Sequence, residues 1–395
     1  MGMNNHADRD AIAQEKGFID QYAGNEFYRM GVACFLVSLM NSNSTLLAVV
    51  FQRNGHNLHD VGVILSFYAL PVVIMSVLAG KIGTRFGVLN TARTAMFLMI
   101  IGFMSFHLTR QSFYGALGSR MVQGIGQGMF LASIVTYAQG RLSPTRMLYL
   151  TGLFAAAVPM AQAVAPPLGG YVLNTYGDGY FFLAATLPAI FGLSLTFGLR
   201  PLNATKKEAG GSMFAALRRD KALPLFTMLV YGSLFGFVGS YLAVAMEAKA
   251  VPLAAFFTSS TASMFISRFA LVKHLDAMDR QALLGSGITA MSIGFILVAL
   301  SGQSWPIVLG GISFGLGYSV VYPVISLWMG EGFGPAGRAG PLALMNTSFN
   351  IGLYAAPYPI TFVVAEWGYG VAMYILAALG IATATIFFVR FIISE

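Results

Sequence analysis

The chain has 395 residues, of which 56% are hydrophobic and only 10% charged, with a formal net charge of +8. A soluble domain carries roughly 25% charged residues, so this composition excludes a soluble globular protein and fits a chain whose main solvent is lipid. The single cysteine, Cys34, excludes an internal disulfide framework, and no Cys/His cluster has the spacing of a zinc site.

In chain order, the first 26 residues are polar and lack the basic-then-apolar layout of a cleavable signal peptide, so the first hydrophobic run is expected to remain in the mature protein. Apolar runs then fall at 27–51, 60–80, 90–109, 112–139, 147–173, 180–199, 222–246, 252–272, 282–301, 305–329, 340–364 and 369–393. Each matches the about 20 apolar residues that a helix needs to cross a bilayer. Most separators are short and carry Gly, Pro, Asp, Asn or Arg. The exception is 200–221, the longest internal polar stretch, which divides the chain near its middle.

The basic residues test this count. With the N-terminus in the cytoplasm and every run crossing, 19 of the 23 Lys and Arg residues fall on the cytoplasmic side. Only Arg53, Arg110 and Lys249 fall opposite, and Arg120 lies inside a span. This is the bias that orients membrane proteins. The basic pI of about 9.5 therefore reports topology and contact with an anionic inner leaflet, not nucleic acid. The sequence predicts an all-α membrane protein of 12 transmembrane helices with both termini cytoplasmic, in the bacterial inner membrane. Its expected organisation is a cytoplasmic segment 1–26, a six-helix bundle 27–199, a linker 200–221 and a second, pseudo-symmetric bundle 222–395. Transporters built from such repeats place substrate near the midplane, between the repeats.

Motifs support the division. Gly80-Lys81-Ile82-Gly83-Thr84-Arg85-Phe86-Gly87 follows the second run. It resembles the loop 2–3 signature of the major facilitator superfamily, Gly-x-Leu-Ala-Asp-Arg-x-Gly, with Thr84 at the family's Asp position. The resemblance implies a gating loop in which glycines allow a tight turn and Arg85 pairs with helix-end carbonyls or a carboxylate. A weaker copy follows the eighth run, with Arg268, Asp276, Asp279 and Arg280. Leu117-x-x-Arg120-x-x-Gln123-Gly124-x-Gly126-x-Gly128 resembles the family's helix-4 motif, whose Arg is linked to proton coupling or substrate contact. Residues 161–170 (AQAVAPPLGG) resemble the helix-5 motif of the drug:proton antiporter branches; Ala161 and Ala165 replace two glycines, while Pro166, Gly169 and Gly170 remain. That likeness leans toward export, and the prolines predict a bent helix. Residues 311–323 and 337–352 resemble bacterial arabinose- and sugar-efflux permeases.

Polar residues inside the runs mark a candidate cavity. Arg120, Gln123 and Gln127 share one helical face, as do Cys34, Ser38, Asn41 and Thr45. Phe257, Thr261, Met264 and Arg268 form a stripe in the eighth run, Gly311, Gly315, Tyr318 and Tyr322 in the tenth, and Asn346, Asn350, Leu353 and Pro357 in the eleventh; Gln162 marks the fifth. The resemblance implies that several of these helices line one cavity, giving Asn41, Arg120, Gln123, Gln127, Gln162, Tyr318, Tyr322, Asn346 and Asn350 as its residues. All fifteen acidic residues fall in termini, loops or span edges. An arginine and amides without a buried carboxylate suit a neutral, zwitterionic or anionic metabolite, such as a sugar-like compound or a siderophore-like carboxylate, better than a cationic drug.

Proton coupling is expected, with Asp60 and Glu247 as candidate carriers and His107 a weaker one; facilitated diffusion is the alternative. His56 and His59 lie in the first outer loop beside Asp60 but are too few for a metal site. No nucleophile–base pair or phosphate-binding loop argues for an enzyme, and neither a cofactor nor a metal is expected. Small-molecule substrate, protons and the bilayer are the expected partners, and a monomer the expected state. An importer of the same fold and a transport-inactive receptor are the rival readings.

Overall fold

The computed structural model describes residues 25–139, 157–202, 219–271, 278–300, 302–333 and 339–394, and among these there is no strand. Lipid offers no hydrogen bonds, so backbone groups must be satisfied within each segment, and helices are the open-chain solution. The helices are α1 (Asn25–Arg53), α2 (Leu58–Phe86), α3 (Val88–Thr109), α4 (Phe113–Gln139), α5 (Ala157–Tyr176) and α6 (Asp178–Thr196). After the linker come α7 (Ala222–Ser240, continuing as Leu242–Ala248), α8 (Ala254–Leu271), α9 (Arg280–Leu300) and α10 (Ser304–Gly330). α11 begins as Ala339–Ala355. The helix assigned next, Pro357–Ser394, contains Gly368 at φ 81°, ψ 172°, which separates the end of α11 (357–367) from α12 (369–394).

Three connections turn on one glycine in the left-handed region: Gly87 (φ 86°) after α2, Gly177 (φ 84°) after α5 and Gly368 after α11. A β-carbon is disfavoured there, which is why glycine stands at each reversal. The sequence expected all of 80–87 to form a loop. Instead α2 continues through Phe86, so Gly80 and Arg85 are helical and only Gly87 turns. Glycine at 80 and 83 costs helix propensity without forbidding helix. α5 runs unbroken through Pro166 and Pro167.

Among the described residues, eight segments are long and apolar enough to cross a membrane, and the last of them, Gly340–Ile393, holds both α11 and α12. α4, α5 and α8 fall short of that hydropathy. Their composition explains it: α4 carries Arg120, Gln123 and Gln127, α5 carries Gln162 and two adjacent prolines, and α8 carries Ser259, Ser260, Thr261, Ser263, Ser267 and Arg268. Lipid-facing surfaces show the inverse pattern, as in α6, where Leu187, Ile190 and Phe191 are exposed.

The helices before the linker pack chiefly on one another, as do those after it; α1–α7, α2–α11 and α5–α8 contacts join the two groups. α4 is a wedge in the first group. A β-carbon at Gly124 would stand 2.6 Å from Pro71, and one at Gly128 2.6 Å from the Val72 carbonyl, so this edge fits against α2. Gly126 faces α3 at Ala95 and Met99. Close approach through small residues drives helix association where lipid removes the hydrophobic contrast.

One face of the molecule carries cations that cap helix C-termini. Arg29 donates to Leu195 O (2.8 Å) and Arg93 to Thr196 O (2.6 Å) at the end of α6. Lys221 donates to Trp328 O (2.6 Å) at the end of α10. These positions match the partial negative charge of a helix C-terminus. At the opposite face the two helix groups are latched. Arg53 Nη2 donates to Glu247 Oε1 and to Asn174 Oδ1 (2.7 Å), and Gln52 Nε2 donates to the Tyr369 hydroxyl (3.2 Å). Between described residues, these ties from Arg53 and Gln52 into the second group are the only side-chain hydrogen bonds linking the groups.

The wedge and the latch can each be tested. Gly128→Ala should lose about 1–3 kcal/mol through overpacking, while Gly118→Ala, whose β-carbon meets nothing within 4 Å, should hold its melting temperature in detergent; equal melting of both would refute the wedge. The Arg53–Glu247 pair is partly exposed, at 35% and 48%, and such pairs contribute about 0.2–1 kcal/mol. Glu247→Gln should therefore shift the latched population by about fivefold or less, read by distances between spin labels on the ends of α1 and α7.

Candidate functional site

A cavity of about 170 Å³ lies between the two helix groups. Its walls differ in chemistry. The first group contributes polar atoms: Ser38, Asn41 and Thr45 of α1, Arg120 and Gln127 of α4, and Gln162 of α5. The second contributes mainly aromatic rings, Phe235 of α7, Phe256 and Phe257 of α8 and Phe314 of α10, with hydroxyls from Ser240, Ser260, Thr261, Tyr318 and Tyr354.

Arg120 organises the polar wall. It is 5% exposed, and its Nη1 donates to Gln123 Oε1 at 2.7 Å. Gln123 is fully buried beneath it, and its Nε2 donates onward to Ser44 Oγ (3.0 Å) and Asn41 Oδ1 (3.4 Å). The Tyr68 hydroxyl donates to the same Asn41 oxygen (3.2 Å). The Tyr68 ring lies under the guanidinium, 4.1 Å from Cζ, and Tyr354 packs edge-on to it at 4.7 Å. A desolvated cation over an aromatic face is worth about 2 kcal/mol or more. That offsets part of the cost, about 2.5 kcal/mol or more, of an arginine at membrane depth. No carboxylate among the described residues pairs with it, and its Nε has no hydrogen-bond partner. Gln127 Oε1 is likewise buried without one. The wall is a positive, planar donor fork with amides beside it, the geometry that accepts a carboxylate or similar anion.

The other expected site residues lie as follows. Tyr322 donates to Asn346 Oδ1 (2.7 Å), and Asn346 donates to Leu342 O (3.0 Å); contrary to expectation, neither lines the cavity. Asn350 does not line the cavity. Gly311 and Gly315, expected on the tenth stripe, meet Ser259 and Ser260 of α8 and serve close packing. Gly169 of α5 meets Asn43 of α1, and Gly170 lies against Leu46. Arg85 is exposed beside the Phe86 ring, and Asp276 lies outside the described residues. Asp60 sits in the first turn of α2, its N–H donating to Asn57 Oδ1, and Glu247 is in the latch; neither lines the cavity. His56 Nε2 meets Arg110 O (2.7 Å) while His59 packs on Tyr358 and Phe362, so the two histidines point apart. Lys249, in the connection between α7 and α8, donates to Val298 O (2.6 Å) and Ala299 O (3.0 Å) at the end of α9; burial lowers its pKa.

Sequence reasoning missed Tyr68, Tyr354 and Ser44. Their signal was weak but present: each is a hydroxyl inside an apolar run, a pattern that packing alone also explains.

The family model described as Major Facilitator Superfamily matches residues 30–280. The chain belongs to the major facilitator superfamily. It is a multi-pass membrane transporter and not an enzyme. Solved structures agree in fold. A point mutant of the nucleoside transporter NupG superposes with TM-score 0.79 at 14% identity, covering 93% of this chain and 100% of that one. The xylose transporter XylE from E. coli, in an inward-open conformation, gives 0.71 at 13%, covering 94% and 96%. The POT family transporter PepTSo gives 0.74 at 10%, covering 92% and 97%. At these identities the likeness shows the superfamily fold alone.

Gln123→Leu should strand Arg120 and cost about 1–3 kcal/mol. Adding Arg120→Met should restore most of it, because an apolar pair replaces a half-satisfied polar one. Melting curves of the purified single and double variants decide this; a double variant no more stable than Gln123→Leu would contradict the network.

Proposed function

We propose that this protein exports a small polar metabolite bearing a negative group, a sugar-like acid or a siderophore-like carboxylate, across the bacterial inner membrane in exchange for protons. The observation that carries the reading is Arg120: a cavity-lining guanidinium whose only hydrogen bond among the described residues goes to a neutral amide. An incoming carboxylate would supply the missing counter-charge, and the ring-lined opposite wall would cover the solute's less polar side. The likeness of the α5 motif to exporters supports the direction.

In this reading the chain crosses the membrane twelve times with both termini on the basic face, as bundles 27–199 and 222–395 flanking the linker. The recurrence of a one-glycine turn at Gly177 and Gly368, between the fifth and sixth helix of each bundle, supports a repeat. The bundles rock about the cavity. Glu247 of the latch takes the proton, releasing Arg53 and freeing the outer face, while the segment ending at Arg85 and Gly87 stabilises the alternate state.

Comparing the medium of cells with and without the protein identifies the exported compound. Inside-out vesicles should then take it up when acidified inside, and Arg120→Ala should abolish uptake, with Arg120→Lys restoring little because an ammonium lacks the planar fork. Unchanged transport by Arg120→Ala, or uptake only into right-side-out vesicles, would overturn the reading.

A further inference from the structure

A second arginine lies in the other helix group, half-buried and beyond the residues that line the cavity. Arg268 lies in the last turn of α8, two turns beyond the cavity-lining Thr261 and on the same helical face. A basic residue in that place ordinarily caps helix-end carbonyls, as Arg29, Arg93 and Lys221 do. Arg268 does not. Its Nε is buried without a hydrogen-bond partner, and among the described residues it forms no ion pair. Met264 of α8 packs against Gly315 of α10, a β-carbon there standing 3.1 Å from Met264 N, and Arg268 and Tyr318 each lie one turn further along these helices. Tyr318 lines the cavity, and among the described residues its hydroxyl has no protein partner. Tyr231 packs on Tyr318 and Phe349, which holds this cluster in place from α7 and α11.

The two arginines are staggered in depth. α4 and α8 both begin near the latched face, after Arg110 and Lys249. Arg120 is seven residues into α4 and Arg268 fourteen into α8. At 1.5 Å per residue their depths differ by about 10 Å. They also approach from opposite helix groups.

We propose that Arg268 and the Tyr318 hydroxyl form a second anion subsite, so that the transported solute carries two separated negative groups, one held by Arg120 and one by Arg268. This rests on the reading of Arg120 as the first anion site. A solute gripped from both groups is one whose binding depends on how far apart the groups stand, which couples occupancy to rocking. It also selects against monoanions, because a monoanion leaves one of the two arginines without a counter-charge.

The test uses the purified full-length protein and, as probes, the straight-chain dicarboxylates from malonate to sebacate beside monocarboxylates of matching length, measured by calorimetry. One dicarboxylate length should bind at least about tenfold tighter than its monocarboxylate, in line with a charge-assisted bidentate contact. Arg268→Gln should remove that preference and leave monocarboxylate binding within about twofold, and Arg268→Lys should restore part of it. Arg120→Gln should weaken both classes. An unchanged dicarboxylate preference in Arg268→Gln overturns the second subsite while leaving Arg120 in place. Monocarboxylate binding untouched by Arg120→Gln overturns the first. A wild-type protein without length preference, or one that binds none of the series, also overturns the two-anion grip. Because Arg268 makes no hydrogen bond among the described residues, its variants should keep the wild-type melting temperature, which separates lost binding from lost folding.

Discussion

The interior of this protein is arranged around a positive charge that no described carboxylate neutralises. Arg120 sits at membrane depth with one amide, one ring and a cavity as its surroundings. Desolvation penalises a charge left in that position, so the neighbourhood is built to soften it. Gln123 accepts one guanidinium hydrogen bond and passes the polarity to Ser44 and Asn41, and Tyr68 contributes both its ring to the cation and its hydroxyl to Asn41. α1, α2 and α4 are thereby tied together by one network. A polar network of this kind rigidifies when satisfied and is costly when broken. Nε and Nη2 of Arg120 have no hydrogen-bond partner among the described residues, and these are the donors that a bound anion would satisfy.

Carrying that network explains why α4 is built as it is. One of its faces must present Arg120 and Gln127 to the cavity, so the other two cannot also be bulky. Gly124 and Gly128 admit α2 and Gly126 admits α3 at distances that no side chain would permit. The tight approach gives α4 the dispersion contacts that its reduced hydropathy does not supply. The same exchange holds for α8, where Gly311 and Gly315 of α10 make room for its serines. Those serines mostly return their hydroxyls to the backbone of α8, as Ser260 and Ser267 do, so they lower hydropathy without creating unsatisfied groups.

Much of this was legible in the sequence, and the limits have physical causes. Run length and the asymmetry of Lys and Arg depend only on bilayer thickness and leaflet charge, which act on every span alike; α3 (Val88–Thr109) and α9 (Arg280–Leu300) lie where the runs 90–109 and 282–301 placed them. The face of α4 was readable because a buried arginine is costly enough to need a purpose. Breaks inside helices were not readable. The interruption of α7 at Tyr241 depends on what packs across it, whereas the turn at Gly368 falls in the gap between the runs 340–364 and 369–393. Tyr68 escaped notice because a tyrosine in an apolar run has two uses, packing or polarity, and only the position of Arg120 in space selects the second. Conversely, Gly311 and Gly315 shared a stripe with Tyr318 yet turned outward to α8, since a stripe identifies a face and not what stands opposite it.

The contrast between the two walls bears on how binding and movement are linked. The α1, α2 and α4 part of the polar wall is held by hydrogen bonds that run between those helices. The aromatic wall is held by edge-to-face ring contacts of Phe235 with Phe314 and Tyr318, beside single hydrogen bonds such as Ser263 to Ile312 O. Across the cavity the groups meet through Tyr68 against Tyr354, and at the latched face through Arg53 and Gln52. Tyr68 therefore belongs to both systems: it stacks on the arginine that a solute would engage, and it touches the other helix group. A ligand that draws the guanidinium toward itself must also alter the Tyr68–Tyr354 contact. Binding chemistry and inter-group packing thus share one side chain, the differential contact that any ligand-driven shift between two states requires.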